Sequence, residues 1–153
     1  MKVFISYSVG DTETVRNLAS KIEGLAQVFY WEKSQEPGSQ VWPKIFKWID
    51  EADIVLVVIS DQTIRRAFAV GQEVGHARKA NKRIIPMVAK GVANTELGFL
   101  SGITYIPFDG AQPHEALAIL MREIAMHQIK QADGEQKVLV LAGLALLFLL
   151  ASD

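Results

Sequence analysis

The chain of 153 residues carries 16 Lys and Arg against 17 Asp and Glu, is 50% hydrophobic and has no cysteine. That length is enough for one domain with a proper core. A net charge of −1 leaves no electrostatic footprint for nucleic acid, and the missing cysteines exclude disulfides, a thiolate metal site and a cysteine nucleophile.

Val3 to Tyr7 reads as a compact apolar strand that the N-terminus enters directly, with no room for a signal peptide. Ser6, Tyr7, Ser8 and Gly10 run into a polar loop. Asp11 is placed to cap a helix whose Val15, Leu18, Ala19 and Ile22 share a face, and Gly24 ends it. Ala26 to Trp31 is a second strand. Glu32 to Gln40 is a polar loop centred on Pro37-Gly38, a strong turn signal. Pro43 suits the first turn of the next helix, with Val41, Ile45, Trp48 and Ile49 as its core stripe. Ile54 to Ile59 is the most apolar strand and is expected at the centre. Ser60 to Ala69, with Arg65 and Arg66, reads as a loop or broken turn. A helix from about Val70 to Asn81 and a strand from Ile84 to Val88 follow. After a loop from Gly91 to Gly102 come a fifth strand, Ile103 to Phe108, and an amphipathic helix from Pro113 to about Gln128.

Five alternations of strand and helix predict an α/β fold, a five-stranded parallel sheet with helices on both faces. Ligands bind such sheets beyond the carboxyl ends of the strands, where the strand order reverses. If the first and third strands are neighbours, Ser6, Tyr7, Ser8 and Ser60 lie at that crevice. The start of the Val70 helix lies there too.

That helix carries the residue best suited to chemistry. Glu73 falls in its first turn, between core positions Val70 and Val74, and Gly71 and Gly75 flank it. Two glycines on one face admit either the sheet or a ligand close to the backbone. The plainer reading is a carboxylate that only complements the helix dipole. Glu73 and His76 have the spacing of a carboxylate-bridged metal motif, but the second pair such a site needs is absent, and we assign no metal. Trp31, Trp42 and Trp48 read as core or interface residues.

Several segments in order resemble a known family. VFISYS with an acid-capped helix is similar to the opening of a prokaryotic TIR (Toll/interleukin-1 receptor-like) domain. The Pro37-Gly38 loop resembles the TIR BB loop, and ADIVLVVIS its third strand. VGQEVGHA followed by NKRIIP resembles the pattern around the catalytic glutamate, and Gly98 to Asp109 the end of the domain. The resemblance covers Lys2 to Gln128 and implies a flavodoxin-like TIR fold over residues 2–128. It implies cleavage of NAD+ at the nicotinamide–ribose bond, by hydrolysis or cyclisation, in bacterial or archaeal anti-phage defence signalling. NAD+ is then the substrate rather than a cofactor, and Glu73 the catalytic residue. Tyr7, Ser8, Gly38, Ser60, Arg65 and Phe68 become the substrate-binding set. Self-association through TIR–TIR contacts, with the BB loop completing a neighbour's site, is also implied. Where the family usually has Trp four residues before the glutamate, this chain has Ala69 beside Phe68. Two other readings stand beside this one: a non-catalytic TIR scaffold, and a nucleoside deoxyribosyltransferase-like enzyme.

After a polar connector, 129–137, the stretch Val138 to Ala151 carries no charge and is apolar all round. We expect a hydrophobic helix there that anchors a cytoplasmic TIR domain to the inner face of the cell membrane, or else an oligomer-core helix or part of a longer span.

Overall fold

The computed structural model describes residues 1–31, 41–64, 67–110 and 112–151. Five strands form one parallel sheet: β1 (Lys2–Ser6), β2 (Gln27–Tyr30), β3 (Ile54–Ile59), β4 (Arg83–Ala89) and β5 (Ile106–Phe108), in the order β2-β1-β3-β4-β5. β1 pairs with β2 on one side and β3 on the other, with Ser6 in register with Val57. The chain therefore moves outward in opposite directions from the β1–β3 pair, and the crevice expected at the order reversal exists.

The sheet is covered on both faces, as an apolar parallel sheet requires. One face packs on α1 (Thr12–Ile22) and α5 (His114–Gln131), through Val15, Ala19, Ile22, Leu120 and Ile124. The other packs on α2 (Val41–Glu51), α4 (Ala67–Lys79) and a short 3-10 helix, Asn94–Leu100. β3 is buried along its whole length, which explains its uninterrupted Ile, Val and Leu. β5 is shorter than expected. A turn at Gly102, with φ +81, precedes it, and it pairs with β4 only from Met87 to Ala89. Pro107 is tolerated because β5 is an edge strand.

The segment after β3 departs most from expectation. A single turn, α3 (Asp61–Ile64), is followed by α4, which begins at Ala67 rather than near Val70. Glu73 is thus in the second turn of its helix, where a dipole role fades. Asn81 closes α4 in the left-handed conformation, φ 53, and the Lys82 amide reaches back to the Ala77 carbonyl at 2.9 Å.

At the other end, α5 runs on to Gln131 and α6 (Glu135–Ala151) starts after a turn at Gly134. The hydrophobic helix is there, but the membrane anchor is not supported: among the described residues no helix is long and apolar enough to cross a membrane. Seventeen residues rise about 25 Å, short of a hydrocarbon core of ~30 Å. Leu144 instead packs into the α1–α5 core with Val140 beside it, while Leu139, Leu146 and Leu149 stay exposed.

Candidate active site

A cavity of about 210 Å³ opens at the order reversal, between β1, α2 and α4. Tyr7 and Ser8 line it from the end of β1, Trp31 from the end of β2, Val41, Trp42 and Ile45 from the first turns of α2, and Ala69, Val70 and Glu73 from α4. Glu73 belongs to the buried stripe of its helix, one turn from Val70 and one from Ala77, and is only 8% exposed. No charged group among the described lining residues faces it. Burial pushes its carboxyl up to about 7, and the neighbouring Ser6 hydroxyl partly opposes the shift. Glu73 Oε2 nevertheless has no hydrogen-bond partner.

The aromatic walls are fixed from behind. The Tyr7 phenol donates to the Trp31 carbonyl. Trp31 packs on Trp48 with ring centres 5.9 Å apart, and Lys44 lies over both rings. Trp42 packs on Phe46 at 5.5 Å, and Phe46 stacks on His76 at 4.3 Å. His76 Nε2 in turn meets Asp50 Oδ1 at 2.8 Å, which joins α4 to α2. His76 is thereby part of a brace. A buried carboxylate that shares its cavity with aromatic rings and, among the described residues, has no counter-ion there is suited to face a flat cationic group.

The TIR domain family model matches residues 3–121. The chain belongs to the TIR domain family. Solved structures agree on the fold. The TIR domain of the Toll-related receptor TRR-2 from Hydra magnipapillata is 23% identical, with TM-score 0.63, over 80% of this chain and 96% of that one. Clostridium botulinum CMP N-glycosidase, BcmB, is 17% identical, with TM-score 0.55, over 78% and 98%. The TIR domains of the activated Roq1 resistosome that recognises the effector XopQ are 18% identical, with TM-score 0.52, over 95% and 82%. No curated protein matches the chain in sequence.

Of the residues singled out from the sequence of this TIR domain, Glu73, Tyr7 and Ser8 meet at the cavity. Ser60 does not line it. Its hydroxyl lies 2.8 Å from both carboxylate oxygens of Asp11, which also takes the Thr63 hydroxyl at 3.3 Å. Asp11 occupies the position before α1 but makes no side-chain cap, contrary to expectation; its carboxylate ties the loop after β1 to the loop after β3. Burial pushes the Asp11 carboxyl up, and the Ser60 and Thr63 bonds oppose that. Phe68 is 79% exposed and stands outside the cavity lining, one residue round the helix from Ala69. Gly38 and Arg65 lie outside the described residues, as does the Pro37-Gly38 loop. A side chain added at Gly71 or Gly75 would meet nothing within 4 Å, so the sheet does not use the gap they leave.

Trp31 and Trp42 are the residues that sequence reasoning missed. By sequence, both read as core or interface residues. The available signal was the place of Trp42 in the first turn, where the helix overhangs the strand ends instead of covering the sheet.

Proposed function

We propose that this TIR domain cleaves NAD+ at the nicotinamide–ribose bond. One observation carries the reading: a single buried carboxylate, Glu73, raised to about 7 and facing an aromatic-walled cavity with no charged neighbour among the described lining residues. Ordinary glycoside hydrolysis needs a second carboxyl to protonate the leaving group. Nicotinamide is bound as a pyridinium and departs neutral, so no acid is required. The electron pair of the breaking bond goes to the ring nitrogen. Positive charge then develops on the ribose, and ionised Glu73 stabilises it in a site shielded from water. The cationic substrate itself favours loss of the Glu73 proton. Trp42, which lines the cavity from the first turn of α2, supplies the face against which the base lies, in the role that Ala69 cannot fill. Water or the substrate's own adenine completes the reaction, giving a linear or cyclic product. Self-association through TIR–TIR contacts belongs to the same reading, and cleavage per molecule then rises with protein concentration.

The C. botulinum neighbour is itself named for breaking an N-glycosidic bond, that of CMP. The substrate test therefore has several arms. Pure protein is incubated with NAD+, with CMP and with deoxynucleosides, and free base is followed by chromatography and mass spectrometry. Nicotinamide release that falls by about two orders of magnitude or more in Glu73→Gln supports the reading. Release of cytosine, or of base from deoxynucleosides only, redirects it. No release from any arm leaves the scaffold reading.

A further inference from the structure

Side chains alternate along β1. Phe4 belongs to the core on the α2–α4 face, and Val3 and Ile5 to the core on the other. Ser6, two residues beyond Phe4, therefore faces α4. It is 1% exposed, and its Oγ has no hydrogen-bond partner. Among the described residues, the other buried side-chain oxygen in that condition is Glu73 Oε2. A buried polar atom without a partner calls for an explanation, and here one is a donor and the other an acceptor. They are also neighbours: β1 turns Ser6 toward α4, and the Ser6 hydroxyl lies close enough to lower the Glu73 carboxyl, although no hydrogen bond joins them. Nearby polar groups are engaged elsewhere: the Tyr7 phenol with Trp31, Thr63 and Ser60 with Asp11, and His76 with Asp50.

We propose that Ser6 is the positioning residue of Glu73, a hydroxyl held beside the carboxyl that turns its proton onto Oε2 when the carboxylate forms. The proposal rests on the reading of Glu73 as the charge-bearing group of the site. No covalent bond is made or broken; the serine keeps its proton and only its torsion changes. The bond stabilises one oxygen of the carboxylate and leaves the other to face the developing ribosyl cation. In the neutral acid the bond is weaker, so the hydroxyl discriminates between the two protonation states. The cavity lining gives this pair little competition. β1 offers Tyr7 and Ser8, α2 offers Trp42 and Ile45, and α4 offers Ala69 and Val70, none of them charged at neutral pH. In the α2–α4 brace, His76 and Asp50 are turned to each other.

The test is the titration of Glu73 in the full chain, followed by carbon NMR of labelled glutamate and assigned by the signal lost in Glu73→Gln. Ser6→Ala is expected to raise the midpoint by about one pH unit. It is also expected to lower kcat for NAD+ roughly tenfold at neutral pH, with KM changed less than about twofold and part of the loss recovered at higher pH. Ser6→Cys keeps the volume and a weaker donor, and gives an intermediate midpoint. A midpoint that stays put or falls in Ser6→Ala overturns the proposal, whatever happens to turnover. A chain that cleaves nothing while the midpoint still rises sinks the enzymatic reading and leaves the Ser6–Glu73 bond standing.

Discussion

Replacing Glu73 by Gln is expected to stabilise the fold, and by an amount that depends on pH. The carboxyl is raised from 4.5 to about 7, chiefly by burial. The folded state therefore holds the proton more tightly than the unfolded chain. The stability this confers is complete below about 4.5 and is lost as pH rises through about 7. Each tenfold difference in proton affinity is worth ~1.4 kcal/mol, so the loss comes to about 3 kcal/mol by pH 8. Glutamine has nearly the same shape and does not titrate. Urea unfolding of both proteins at pH 4.5 and pH 8 isolates the effect, because every other carboxyl is common to the pair. The difference in unfolding free energy should move by about 3 kcal/mol in favour of Gln between the two conditions, with unchanged urea slopes. In melting temperature that is roughly 10 °C. A difference that is the same at both pH values refutes the reasoning, since it means that Glu73 titrates in the folded chain as it does in the unfolded one.

Two further outcomes follow from the same geometry. Trp42→Ala should raise KM for NAD+ roughly tenfold while Trp42→Phe keeps most of the affinity, a stacked base being worth ~1–3 kcal/mol; steady-state kinetics with unchanged KM would remove Trp42 as the wall. Asp11→Ala takes the charged acceptor away from the Ser60 hydroxyl and leaves Thr63 only its bond to the Val58 carbonyl, and should cost about 1–3 kcal/mol in denaturant unfolding, whereas a mere helix-capping position without a side-chain bond would cost far less.

The sheet was legible because its signal is redundant. Ile54 to Ile59 cannot be other than buried, and alternation with amphipathic helices leaves few topologies. Glu73 was legible as a carboxylate inside an apolar stripe, and its burial agrees with that reading. The start of its helix was not, since Ala67, Phe68 and Ala69 carry neither a cap nor a breaker. The misplaced start made a second-turn residue look like a dipole partner. Asp11 misled for a related reason. An acid before a helix has a local use and a tertiary use, and only the fold brings Ser60 near enough for the second to win. Trp31 and Trp42 were hidden by their own hydrophobicity, because a ring that lines a cavity and a ring that fills a core leave the same periodic trace. The apolar tail read as a membrane anchor through its composition. Its length of 17 residues and the packing of Leu144 against the main core point elsewhere.

Placing the two walls of the cavity on different helices makes the slot between them a mechanical quantity. The pin that joins α2 to α4 lies at Asp50 and His76, and Asp50 also holds Lys82 through its carbonyl at 2.5 Å. Trp42 rides on the opposite end of α2, about 12 Å away along the axis. α2 is therefore a lever with its fulcrum far from the ring. A tilt of roughly 5° about that fulcrum moves the Trp42 ring by about 1 Å relative to Glu73, well within the shear that packed helices tolerate. A domain with Trp at position 69 would carry wall and carboxylate on one rigid rod, at a fixed spacing. In this chain the spacing depends on how α2 sits against α4, and Phe46, packed on both Trp42 and His76, is what holds it.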